Sequence, residues 1–158
     1  MNKLIHNITV TVFEKNENNL SVHSDIFEYL LPVNFEKEHI EFSIESVEGL
    51  QQKPIFILKL KTNKKKHNTL ILDKLFSNLD KKAKKSIGSE LYSRLNQEGY
   101  FFIRLEKSEL IQKKFQLTDS GDCYHFKIKL AAFPANWEQF VNSAKSLLNR
   151  YNCLDNEE

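Results

Sequence analysis

The chain has 158 residues, of which 41% are apolar and 28% charged, a balance that excludes collagen-like or low-complexity polymers and suits one soluble domain. Folded chains of this size bury about 68–70% of the surface they expose when unfolded, so a core can form without disulfides or metal. The formal net charge of +2 conceals a polarised chain: residues 1–50 hold 3 Lys against 9 acids, residues 51–130 hold 18 Lys and Arg against 8 acids, and residues 131–158 hold 2 against 4.

No apolar run approaches the roughly 20 residues of a membrane span, and the opening MNKLIHNITVTVFEKN meets polar residues too early for a secretory leader. The expectation is a cytoplasmic protein without membrane contact. Cys123 and Cys153 stand 30 positions apart with no second pair, which excludes a zinc ribbon, a CxxC redox motif and a disulfide framework. Both thiols are expected to be reduced and idle.

In chain order, residues 5–13 alternate Ile8, Val10 and Val12 with Thr9 and Thr11, the period of a half-buried strand. From Leu20 to Leu31 the positions Val22, Ile26, Phe27 and Leu30 follow helical spacing, and Pro32 ends the run. Residues 39–48 alternate again, with Ile40, Phe42 and Ile44 opposite Glu41, Ser43 and Glu45. A turn over Gly49 to Lys53 leads into a strand at 54–62, with Pro54 where a missing N–H is tolerated, so the two strands form a hairpin. Leu72, Leu75, Phe76 and Leu79 predict a helix over 65–79, and Asp80 caps a further helix whose stripe Ala83, Ile87, Leu91 and Leu95 runs to Gly99. Gly88 weakens that helix by about 1 kcal/mol relative to Ala. A strand follows at 100–106, then a helical turn at 107–112, a short strand at 114–118, a tight turn at 119–122 and a strand from Cys123 to Ala132. A last amphipathic helix at 136–151 carries Trp137, Phe140, Val141, Ala144, Leu147 and Leu148.

Hairpins rather than strict βα alternation predict an α+β fold: a mainly antiparallel sheet of residues 5–13, 39–48, 54–62, 100–106 and 123–131, with helices packed on one face. Residues 1–151 form one domain and 152–158 a flexible polar tail. The uncovered face then collects Lys59, Lys61, Arg104, His125, Lys127 and Lys129.

Little in the sequence suggests catalysis. His6, His23, His39, His67 and His125 never fall at the spacing that puts two imidazoles on one helical face, and no HExxH, GxSxG, GxxxxGK[ST] or GxGxxG occurs. The acids Glu36, Glu38, Glu41, Glu45 and Glu48 follow a solvated strand face and its lead-in, and Asp119, Gly121 and Asp122 serve a turn. No catalytic residue, metal or cofactor is expected.

The lysines say more. Residues 51–85 hold 11 Lys against Asp73 and Asp80, an asymmetry that points to a polyanionic partner, nucleic acid ahead of a membrane surface. Lys64, Lys65 and Lys66 open one predicted helix, and Lys81, Lys82, Lys84 and Lys85 fill the first turns of the next. Cations there oppose the helix dipole, a cost that a bound phosphate reverses; as a solvated face the same residues would only confer solubility. Phe13 and Phe102 are the main outward aromatics, and a core or interface role for both is favoured over an RNP-type stacking platform. Together with Tyr100 they leave apolar area that predicts a homodimer.

Particular strings carry a resemblance: His6-Asn7-Ile8, Tyr29-Leu30-Leu31-Pro32, Glu48-Gly49 with Pro54-Ile55, and Leu117-Thr118-Asp119 with Gly121-Asp122 and His125 before Lys127 and Lys129. Over about residues 5–135 the chain resembles the archaeal RNA-binding family labelled "predicted exosome subunit", formerly a domain of unknown function. The resemblance implies a fold like that of an RNA-binding large-subunit ribosomal protein, no catalytic residues, and dimers in some members. The expected function is a non-enzymatic RNA-binding protein, linked to RNA processing, that recognises backbone and shape. Its expected contacts are Lys59, Lys61, Lys64, Lys65, Lys66, Lys81, Lys82, Lys84, Lys85, Arg104, Lys127 and Lys129. The alternative is a homodimeric or scaffold module that docks on an RNA-processing assembly without touching RNA. A nucleic-acid hydrolase is disfavoured, because neither paired carboxylates nor metal ligands converge.

Overall fold

Alternation decides the sheet. In Ile5–Glu14 (β1) the side chains of Ile8, Val10 and Val12 are fully buried while Thr9 and Thr11 on the opposite face stay half-exposed. The computed structural model, which describes residues 3–155, places β1 at the centre of five strands. Pro54–Thr62 (β3) and Cys123–Leu130 (β5) flank it, Glu41–Glu48 (β2) pairs with β3, and Tyr100–Glu106 (β4) pairs with β5. The order is β2-β3-β1-β5-β4 and every pairing is antiparallel. The strand expected from residue 39 starts at Glu41, because His39 takes a left-handed backbone, φ 53°, in the turn that leads in.

The helices are Leu20–Leu30 (α1), Lys65–Asn78 (α2), Lys81–Ser89 (α3), Leu91–Arg94 (α4), Lys107–Leu110 (α5) and Trp137–Arg150 (α6). Phe27 and Leu30 of α1, Leu75 and Phe76 of α2, and Leu147 and Leu148 of α6 join Val10, Leu60, Phe126 and Ile128 of the sheet in one buried cluster. Each such side chain contributes roughly 1.5–3 kcal/mol when removed from water, so this cluster holds the helical layer on one sheet face. The α+β architecture is the one the hairpin pattern predicts. Among the described residues no helix is long and apolar enough to cross a membrane.

Three local expectations are corrected. Asp80 caps the next helix as predicted, its Oδ1 accepting from the Ala83 N–H at 2.7 Å, but the helix breaks at Glu90 (φ −100°, ψ 19°) into α3 and α4. Ile87, Leu91 and Leu95 remain buried on one side, and their spacing alone does not reveal the break. The strand expected at 114–118 shrinks to one bridge, Leu117 opposite Leu105, flanked by bonds from Glu106 N to Gln116 O (2.8 Å) and Thr118 N to Arg104 O (3.1 Å). Just past Asn152 the chain still packs on the fold: Cys153 is buried, its N–H donates to Leu148 O at 2.9 Å, and Leu154 packs on the core. Residues 156–158 lie outside the described part.

That last contact explains Gly88. A methyl at this position would lie 1.9 Å from the Cys153 carbonyl oxygen, a backbone atom. Gly88→Ala is therefore expected to cost 1–2 kcal/mol overall, even though Ala gains about 1 kcal/mol in helix propensity, because crowding in a packed site outweighs it. Urea unfolding checks the sign: an increase in stability would show that the terminal segment yields freely.

One polar cluster sits inside the core. Glu14, at the end of β1, accepts the Nε2–H of His23 at 2.7 Å through Oε1, and the backbone N–H groups of Lys15 and Asn16 at 3.0 and 3.1 Å through Oε2. An ionised carboxylate can only accept, so Nε2 carries a proton, and Nδ1 makes a hydrogen bond with the Tyr124 hydroxyl. Burial would raise the Glu14 carboxyl, but the His23 and Asn16 hydrogen bonds and the Lys107 charge outweigh it and bring the pKa down to about 2. Burial, followed by the charge of Glu14, pushes the Tyr124 phenol well above its ordinary range.

Candidate nucleic-acid interface

The sheet face opposite the helices is set by register. Three rows of side chains cross it. The first runs Asn7, Lys129, Tyr100; the second Glu41, Lys61, Thr9, Lys127, Phe102; the third Ser43, Lys59, Thr11, His125, Arg104. With strands about 4.8 Å apart, Lys61 and Lys127 stand roughly 10 Å from each other across the short Thr9. Successive rows are roughly 7 Å apart along the strands. Lys59 and Arg104 are exposed, and Lys61, Lys127 and Lys129 are half-buried. Five of the twelve residues expected from the sequence thus share one surface, on which Glu41 and Glu45 stand at the β2 margin and Glu106 follows Arg104 on β4.

Aromatic rings are part of this surface, against the expectation that Phe102 belongs to a core or an interface. Phe102 lies between His125, ring centroids 5.4 Å apart and 18° from parallel, and Tyr100, at 6.4 Å and 29°. The Lys127 and Lys129 ammonium groups stand over the Tyr100 ring at 4.1 and 4.6 Å. Burial first, then the charges of Arg104 and Lys127, hold the His125 imidazole below its ordinary value, so it is neutral at pH 7.

At the β4 margin a second arginine enters. Arg94 of α4 spans the gap between the Leu95 and Leu117 bridges, donating from Nη1 to Phe102 O at 3.2 Å, while its buried Nε has no partner among the described residues. Arg94, Arg104, Phe102 and His125, together with the acids Glu90 and Asp119, line a cavity of about 450 Å³ there. Arg94 had no sequence signal, since it falls within an amphipathic pattern read for its apolar stripe.

The remaining expected residues lie elsewhere. Lys64, Lys65 and Lys66 stand where β3 gives way to α2, whose first turn has no side-chain cap, and Lys66 pairs with Glu38 at 3.2 Å. Lys81, Lys82, Lys84 and Lys85 belong to α3, which contributes Ile87 to the core and so lies in the helical layer. Among the described residues no three His, Cys, Asp or Glu side chains converge to hold a metal.

The sheet is antiparallel with one face left open by the helices, and comparison with known proteins places the chain in a family. Over residues 7–130 the chain matches the model of a family described as RNA binding, and it belongs to that family. It is 23% identical over 143 residues to RNA-binding protein PAB1135 of Pyrococcus abyssi, with 90% of this chain and 93% of that protein covered. Its fold matches a solved DUF54 protein of Methanothermobacter thermautotrophicus with a TM-score of 0.72 and 23% identity, covering 92% of this chain and 99% of that one. It also matches a DUF54 protein of Archaeglobus fulgidus with a TM-score of 0.77 and 20% identity, covering 90% and 99%.

Proposed function

We propose that this protein is a non-enzymatic RNA binder whose open sheet face holds the phosphate backbone. The observation that carries this reading is the three-row array in which Lys59, Lys61, Arg104, Lys127 and Lys129 surround two short threonines. Lysine and arginine neutralise phosphates without reading sequence, and the stacked rings of Tyr100, Phe102 and His125 add faces on which an unpaired base can stack. Lys64, Lys65 and Lys66 add positive charge apart from the array, where β3 gives way to α2. The α3 lysines act from a distance, by attracting the polyanion.

Salt dependence tests the reading. If five phosphates are neutralised, log K for a single-stranded RNA falls by about 3.5 per decade of salt. A protein that docks on an RNA-processing assembly through other contacts shows no such RNA binding, even at low salt, and that result replaces this reading. Self-association is a second element of the proposal, favoured by exposed Phe13, Ile44, Val47 and Leu50 around the β2–β3 hairpin. Light scattering at high concentration is expected to show a dimer; a strict monomer removes it.

A further inference from the structure

Phe133 is 96% exposed, more than any other large apolar side chain in the described residues. It lies in the segment between β5 and α6, followed by Pro134, and it stands at a cavity of about 660 Å³ at the end of the sheet where β1 begins. That volume falls within the range of sites that hold small organic groups. The opposite wall is the polar side of α6: Gln139, Asn142 and Ser146 recur at helical spacing, on the side away from the buried Phe140, Ala144 and Leu147. Among the described residues no Asp or Glu lines the cavity, and Lys3 supplies its charge beside the His6 imidazole.

Three features make its chemistry that of a nucleobase rather than of a phosphate. An isolated phenyl ring in water offers a stacking face and no hydrogen bond. Carboxamides such as Gln139 and Asn142 present a donor and an acceptor side by side, the pattern that base edges match. The one Lys or Arg among its lining residues is Lys3. Burial first, then the charges of Lys3 and Lys129, hold the His6 imidazole below its ordinary value, and Lys129 also stands 5.5 Å from the ring of Phe140, the neighbour of Gln139. The cavity therefore adjoins the first row of the basic array.

We infer that this cavity takes one unpaired base of an RNA strand whose backbone lies on the sheet face, with Phe133 stacked on the base and Gln139 and Asn142 on its edge. The inference rests on the RNA reading of that face. It makes the protein prefer unpaired RNA, since a base held in a duplex cannot turn out onto Phe133 without losing its pairing and stacking.

The test compares the intact protein with Phe133→Ala and Phe133→Trp on ten-nucleotide oligoadenylate, oligouridylate and a ten-base-pair RNA duplex. Phe133→Ala is expected to lose about tenfold or more in affinity for the single strands, the scale of one stacked base, and nothing for the duplex. Its salt slope is expected to be unchanged because no phosphate contact is removed, and its melting temperature unchanged because the ring is exposed. Phe133→Trp is expected to restore single-strand binding. Unchanged single-strand affinity in Phe133→Ala, or an equal loss on single strand and duplex, overturns the inference while leaving the sheet-face reading in place. Binding of the duplex alone by the parent does the same, and absence of binding to every RNA overturns both.

Discussion

Replacing Glu14 by Gln is expected to lower stability by about 3 kcal/mol at pH 7 and by far less near pH 2. The carboxyl titrates at about 2 in the fold against 4.5 ordinarily, a difference worth about 3 kcal/mol of folding free energy. Because the folded value is the lower one, this stability is fully present above pH 4.5 and is lost as pH falls toward 2. Gln keeps the shape but removes the charge that His23 and the Lys15 and Asn16 amides point at, inside a site where Glu14 is 11% exposed and His23 2%. Urea midpoints of parent and variant measured from pH 7 to pH 2 should converge. Parallel curves would mean that the carboxylate is held no more tightly in the fold than out of it.

The cluster also shows what a sequence hides. Glu14, His23 and Tyr124 come from β1, α1 and β5, and no local pattern distinguishes them from a strand end, a helix position and a strand residue. The strands themselves were legible, because one buried face imposes a period of two that Ile8, Val10 and Val12 or Tyr124, Phe126 and Ile128 display openly. The same period sorts the partners, so Lys59, Lys61, Arg104, Lys127 and Lys129 could be assigned to one open face before the register was known. Elements with weak or shared patterns were not legible. The break at Glu90 preserves helical spacing on both sides, and residues 114–118 carry too few alternations to reveal that they make one bridge. Arg94 and Phe133 were missed for a related reason: each stands at the rim of an element, and periodicity speaks only of the element's interior face.

Changing Arg104, Lys127 and Lys129 together to Gln is expected to weaken single-stranded RNA binding about a hundredfold at 0.1 M salt. Each phosphate contact contributes about 0.7 to the salt slope, so three lost contacts remove about 2 log units at that concentration and almost nothing near 1 M. The triple variant should therefore show both lower affinity and a slope shallower by about 2. Fold should be little affected: Arg104 is exposed and gives up one bond to the Asp119 carbonyl, and the other two give up cation–π contacts with Tyr100 and Phe140 and the Lys129 bond to the Glu98 carbonyl. The companion variant, Lys81, Lys82 and Lys85 to Gln, removes the same number of charges from α3. Those lysines oppose the dipole of their own helix, so this variant is expected to hold or gain stability. Standing in the helical layer, they contribute mainly long-range attraction, which salt screens over about 10 Å at 0.1 M. Its affinity is expected to fall severalfold rather than a hundredfold, by the same factor for every RNA sequence. Equal losses from the two triples would show that net charge alone matters and that the rows on the sheet face hold no backbone. A larger loss from α3 would move the RNA to the helical layer.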